Sequence, residues 1–299
     1  MPVTLPVWPW LLLALAGDGH DAGFTVAIGG DVSFARGIQV RAESEGWEKV
    51  LAPLSEHLSK SDARIVNLES AFGACLDGGT TDHPRLCAHP TVIPWLSRAG
   101  ITSVTVANNH ALDAGPGGLE KSATALRRSH ITVFGADAAR TGIPQDQPLG
   151  PITIVTANLS RSAWSPGRTV AIPSPTAVAK TIQAARRRDP RRPVLVILHG
   201  GRELDPSPSG FEQAYAETAV QAGAAAVVFH GSHVAHSLAA ISGVPVHWGL
   251  GNLLFDQHLA IAATGRILRL RFRPGLPAEV LGDDCVESTT GKPCSGGNP

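Results

Sequence analysis

No excess of charge of either sign is present: 25 Lys and Arg balance 25 Asp and Glu across 299 residues. The basic residues form no stripe. Their dense group, Arg186-Arg187-Arg188 with Arg191-Arg192, flanks Pro190 at an expected helix end, where cations complement the helix dipole. These observations assign no nucleic-acid partner. The chain has no CxxC pair, which argues against a zinc ribbon or a dithiol redox motif. It has no P-loop, dinucleotide fingerprint or Ser/His/Asp nucleophile motif, and no repeat of fixed period. No Pro/Gly/Ser linker divides the middle, which argues for one domain. Hydrophobic residues make up 43% and charged ones 17%, so a globular core is expected rather than disorder.

The first residues, MPVTLPVWPWLLLALAG, hold an apolar stretch shorter than the ~20 residues of a membrane-spanning helix, and Pro6 and Pro9 would break one. With Ala14-Leu15-Ala16 as a cleavage pattern, the segment reads as an export signal over 1–23, although it lacks a basic n-region. The alternatives are an uncleaved anchor or a misplaced start. Four cysteines allow three connectivities. Cys75 and Cys87 bracket one short loop and Cys285 and Cys294 another, so local pairing is the simplest scheme, and it fits an oxidising, extracytoplasmic location.

From residue 24 the pattern alternates strand and helix. Apolar runs predict strands at 24–28, 64–66, 103–106, 131–134, 152–156, 194–198, 225–229, 238–241 and 267–272. Amphipathic stretches predict helices at 47–58, 119–128, 178–187 and 211–221, the last entered through a Ser-containing cap. Interleaving of this kind implies a layered α/β domain over 24–275. Residues 276–299, rich in Gly, Pro and Ser with a Cys pair, read as an irregular tail.

Six of the apolar runs break off into polar residues with metal-ligating or proton-transfer capacity, and strand ends are where open α/β sheets place their sites. Asp31 follows Gly29-Gly30, a pattern that is also a common turn. Glu69 follows Asn67-Leu68, and burying it unpaired would be costly. Asn108-Asn109-His110 leads into Asp113 and a glycine-rich turn; the two Asn and the His continue a strand poorly but suit ligation or proton donation. His199-Gly200-Gly201 adds Glu203, a candidate general base or an orienting group. His230 and His233 share a turn and are candidate ligands. Asn252 and Asp256 close the series as polar contacts near Gly249 and Gly251.

The segments Gly30-Asp31, Asn67-Leu68-Glu69, Ala107 to Asp113 with Gly115 and Gly118-Leu119, His199-Gly200 with Glu203, His230 to Val234, and Leu250 to Gln257 resemble the ordered motifs of the bacterial capsule synthesis (CapA, PGA-cap, poly-γ-glutamate biosynthesis) family. The resemblance spans about 24–273. That family is similar to the calcineurin-like metallophosphoesterases, which implies a four-layer α/β/β/α sandwich with mixed sheets and a centre for two divalent ions (Mn, Fe or Zn). It implies Asp31, Glu69, Asn109, His199, His230 and His233 as metal ligands and His110 as the residue that protonates a leaving group. Glu203 is assigned to proton transfer or orientation beside it. Asn108, Asn252 and Asp256 would contact substrate. Where the superfamily pattern has a His, two residues after the first Asp, this chain has Ser33, and Glu69 stands in place of a bridging Asp. The resemblance implies a metal-dependent phosphoester hydrolase acting on a cell-envelope polymer or other phosphoester. The alternatives are amide-bond chemistry on that polymer, or a non-catalytic role beside capsule-synthesis membrane partners.

Overall fold

The fold follows from a period-two division of each strand between two apolar layers. A computed structural model describes residues 23–58, 60–76, 84–165, 168–257, 259–290 and 292–294. The expected export signal lies outside them, apart from Gly23. In the first strand, Phe24–Val32, the side chains of Val26 and Ile28 join one buried cluster and Ala27 another. The same alternation runs through Val194–His199 and Ala226–His230. There Leu195, Ile197, Ala226 and Val228 share the cluster of Val26, while Val194, Val196, Leu198, Val227 and Phe229 face away from it. Strands buried on both faces need a layer on each side.

Two mixed sheets result. One runs in the order Glu279–Glu287, Thr264–Phe272, Phe24–Val32, Ala63–Leu68, Ser103–Thr105, Thr132–Phe134, with Asn252–Leu254 paired to the far end of the first strand. The other runs Leu238–Ile241, Val244–His247, Ala226–His230, Val194–His199, Ile152–Asn158, Gln145–Leu149. The cluster shared by Val26, Ile65, Ile154, Leu195 and Val228 lies between the sheets. Helices Trp47–Leu58 and Gly115–Arg128 cover the outer face of the first sheet through Val50, Leu54, Leu119 and Leu126. Helices Pro175–Arg188 and Gly210–Gln221 cover the second through Val178, Ile182, Ala216 and Ala219. The layers are therefore α/β/β/α, as expected. In the second sheet both edge strands are antiparallel; in the first, Thr264–Phe272 and Glu279–Glu287 are antiparallel at one side while Thr132–Phe134 is a parallel edge, so the parallel strands of each sheet end on a common side.

Each of the nine expected strands and four expected helices forms. Both local disulfides form, Cys75–Cys87 and Cys285–Cys294. The helix over 210–221 begins with a capping box between Ser209 and Glu212.

The expected irregular tail is corrected. Glu279–Glu287 is a nine-residue strand paired antiparallel with Thr264–Phe272, and Cys285 lies within it. An edge strand with one face in solvent carries little apolar periodicity, and Asp283 and Asp284 hide it further. Helix Arg36–Glu45 was also illegible, because it buries only Ile38 and Ala42. Among the described residues, no helix is long and apolar enough to cross a membrane.

Because the inter-sheet layer joins both sheets, Leu195→Ala should cost about 3 kcal/mol of unfolding free energy, read from urea titration, whereas truncating exposed Val40 should cost under about 0.5.

Candidate metal centre

The same alternation that builds the inter-sheet layer also builds the site. Asn67 continues the parity of Ala63 and Ile65, His199 that of Leu195 and Ile197, and His230 that of Ala226 and Val228. At the common end of the strands the layer between the sheets thus changes from apolar to polar. Asp31 would fall on the opposite face by parity. A register shift between Gly29 and Asp31 inverts the strand, so that Val32 packs with Ala27 and the carboxylate turns toward the second sheet. Gly30 makes this feasible: a Cβ there would collide with the carbonyl oxygen of Gly251.

Asp31 is fully buried and spans the two sheets. Its Oδ1 accepts from Asn67 Nδ2 at 2.8 Å and lies 3.0 Å from His230 Nδ1; its Oδ2 accepts from the Gly231 amide at 3.2 Å. His233 Nδ1 is 3.5 Å away. Burial alone would raise the Asp31 pKa. The hydrogen bond from His230 and the charges of His230, His233 and His199 outweigh it and hold the carboxyl well below the usual range.

Opposite stands Glu69, also fully buried. Its Oε1 lies 3.6 Å from both His199 Nε2 and His233 Nε2, too far for a hydrogen bond. Both Glu69 oxygens, and His230 Nε2, are buried without a hydrogen-bond partner among the described residues. Burial, then the nearby charges of Asp31, Glu203 and Asp113, drive the Glu69 pKa well above the carboxylate range. Burial likewise pushes His199 down to about 3, so its ring is neutral and able to ligate. Asn67 Nδ2 approaches His199 Nδ1 at 3.1 Å, leaving Nε2 to face Asn109 Oδ1 at 2.8 Å.

Unpartnered oxygens in a buried carboxylate–imidazole cluster are what a cation would satisfy. Asp31, Glu69 and His199 each offer a ligand atom within 4.8 Å of the others. Two carboxylates with imidazole suit a divalent ion of borderline hardness. His230, His233 and Asn109 border the same volume through the contacts above. His233 sits at φ 60°, a left-handed backbone unusual for a non-glycine residue, which is consistent with a turn shaped around the site. Ser33 is buried, and its hydroxyl accepts from the Ala35 amide at 3.4 Å.

The expected substrate contacts occupy different places. Asn108 is wholly engaged: Nδ2 donates to Asn67 Oδ1 and the Leu68 carbonyl, and Oδ1 accepts from the His110 amide. Asn252 holds His233 Nδ1 at 2.9 Å and donates to the Ala262 carbonyl. Both are braces for neighbouring site residues. Asp256 pairs with Arg36 and the Gly37 amide, tying the chain after the first strand to the loop beyond Asn252. Glu203 is exposed on the loop following His199.

His110 is half-buried, its Nδ1 2.8 Å from Asp113 Oδ2. Asp113, read from the sequence as a turn residue, also accepts from Arg85 at 3.0 Å and from the Leu86 amide at 2.6 Å. The His110/Asp113 spacing of three was the available signal. Asn158 at the end of Ile152–Asn158 had none, since it pairs with His199 only across the sheet. It donates to Ser162 Oγ at 2.8 Å.

The stranded Glu69 carboxyl sets a pH signature for metal-free protein. A carboxyl with a raised folded pKa holds its proton more tightly folded than unfolded. Its contribution is therefore fully present below the unfolded value of about 4.3 and is lost as pH climbs toward the folded value. Metal-free Glu69→Gln should melt at least about 2 °C above wild type near pH 8 and level with it near pH 4. Added Mn should stabilise wild type and leave the variant unmoved; calorimetric melts check both.

A family model described as "Bacterial capsule synthesis protein PGA_cap" matches residues 25–257. The chain is 24% identical over 249 residues to the "Capsule biosynthesis protein CapA" of Bacillus anthracis, covering 78% of this chain and 60% of that one. It is 23% identical over 287 residues to the "PGA biosynthesis protein CapA" of Bacillus subtilis strain 168, covering 87% and 74%. It thus spans less than two thirds of the Bacillus anthracis relative. The NAD nucleotidase of Haemophilus influenzae has a similar fold, with a TM-score of 0.50 at 12% identity, covering 89% of this chain and 56% of that one. The sandwich is metallophosphatase-like, and with most of its length matched the chain belongs to the bacterial capsule synthesis protein PGA_cap family.

Proposed function

We propose that the protein is an exported metal-dependent hydrolase of phosphoester type acting in the metabolism of a capsule or poly-γ-glutamate polymer. The observation that carries this reading is the Glu69 carboxyl, buried with both oxygens unpartnered among the described residues and facing Asp31 and the imidazoles of His199 and His233. Asp31, Glu69, Asn109, His199, His230 and His233 would hold one or two divalent ions of Mn, Fe or Zn. A bound ion would supply Lewis acidity toward a substrate oxygen and activate water for attack.

The chain's own residues do the rest. Asn67 and Gly231 fix Asp31, Asn252 fixes His233, and burial keeps His199 neutral. His110, with Nδ1 toward Asp113, presents Nε2 at the rim as the group that donates a proton to the departing oxygen. Arg85 and Leu86, within the segment closed by the Cys75–Cys87 disulfide, hold Asp113 in turn. Two disulfides and the apolar leader within 1–23 support an oxidising, extracytoplasmic location.

A second reading is a non-catalytic part in polymer assembly or export beside membrane partners. The names of the Bacillus relatives favour it, since they state biosynthesis rather than hydrolysis. Amide-bond cleavage of the polymer would use the same centre.

Purified protein should contain Mn, Fe or Zn by mass spectrometry and cleave a small aryl phosphodiester. His110→Ala should lower kcat by about 10²–10³ with metal content intact, and Asp113→Asn by about tenfold or more. Unchanged turnover in His110→Ala would remove the catalytic assignment, and metal-free, inactive protein would favour the assembly role.

A further inference from the structure

Beside the buried cluster opens a cleft of about 540 Å³ whose wall includes Asn109, Arg161, Gly201, Arg202, Glu203 and Phe211. Asn109 belongs to both places, lining the cleft while its Oδ1 faces His199 Nε2. The two arginines come from equivalent positions. Arg161 follows strand Ile152–Asn158 and Arg202 follows Val194–His199, which are adjacent and parallel, so both side chains leave the sheet at the same end. Both are exposed, and neither guanidinium has a carboxylate partner among the described residues. By contrast Arg36, Arg85, Arg188 and Arg269 are all ion-paired. Phe211, 42% exposed, adds an apolar surface beside them.

We propose that this cleft is a specificity subsite for an oxyanion-bearing linear chain, with Arg161 and Arg202 receiving oxyanions displaced from the reacting group and Phe211 packing against the chain's methylene stem. The inference deepens the hydrolase reading and rests on it for the orientation of substrate, though not for binding. The physical case is one of charge. The buried Asp31 carboxylate at the reacting position repels an approaching polyanion until a cation is present, so cationic groups outside the ligand set would favour its approach. Guanidinium is suited to this: its planar fork engages carboxylate or phosphate in two hydrogen bonds, and it is weakly hydrated. Glu203 is the acidic member of the wall. Arg161 is not legible in the sequence, because a lone Arg after Asn-Leu-Ser carries no pattern.

The test is titration calorimetry on the metal-loaded full chain with three probes: a short glutamate oligomer, a short glycerol phosphate oligomer and a glutamine oligomer as neutral control. The double variant Arg161→Gln/Arg202→Gln should bind whichever charged oligomer the wild type holds at least about tenfold more weakly, with a flatter dependence on salt. Arg161→Lys/Arg202→Lys should recover part of the loss, and circular dichroism and melting should match wild type. The charged oligomer that shows the arginine dependence identifies carboxylate or phosphate as the anion. Equal affinity in wild type and the Gln variant, tighter binding of the glutamine oligomer, or no binding of either charged oligomer by wild type overturns the proposal. Failure of the hydrolase reading would appear separately, as absent cleavage of an aryl phosphodiester, with the calorimetry unaffected.

Discussion

The Asp31 carboxylate is the joint on which the rest of the structure turns. It is buried in the layer between two sheets and takes hydrogen bonds from both, from Asn67 on one side and from His230 and Gly231 on the other. A buried carboxylate is tolerated only when its oxygens are met by donors or cations. That need fixes how closely the two sheets approach at their strand ends and which residues stand there. The apolar layer beneath, with Ile28, Ile65, Leu195 and Val228, supplies the cohesion that keeps the polar end assembled.

Around this joint the polar residues form a graded series rather than a set of equals. Asn67 sits at the hub, contacting Asp31, His199, Thr105 and Asn108. Asn108 and Asn252 use their amides on backbone and neighbouring side chains, so they brace the site. Glu69 is the opposite case, a carboxyl with no donor, crowded by another. Such a group destabilises the fold, and a bound cation would relieve it and couple the stability of this end of the sandwich to metal occupancy. Beside the cage, half-buried His110 pairs with buried Asp113, which the disulfide-closed segment holds through Arg85 and Leu86. A buried, hydrogen-bonded cluster thus lies next to a cleft whose wall includes Arg161 and Arg202.

Much of this was legible in the residues. The Val- and Ile-rich runs marked the strands, because burial on both faces leaves little room for other side chains. Strand ends marked the site, because Asn-Asn-His or a lone Glu is poor strand material and must have another use. Less was legible where the signal is weak by nature. Glu279–Glu287 has one solvent face and two aspartates, and Arg36–Glu45 buries only two residues, so neither shows a period. Asp113 looked like a turn residue because its partners, Arg85 and Leu86, come from a different segment.

The sequence by itself determined the succession of strands and helices, the short loops that two pairs of cysteines bracket and the identity of the polar residues at the strand ends. These are local matters, set by side-chain periodicity and by separations of a few residues. Only the tertiary structure decided which of those polar residues meet. Asp31 faces the second sheet through a bulge at Gly30 that parity alone would not forecast, and Asp256 turns to Arg36 although its neighbour Asn252 serves His233. The physical reason is that a hydrogen bond between segments some two hundred residues apart depends on sheet register and backbone direction, which no local pattern encodes.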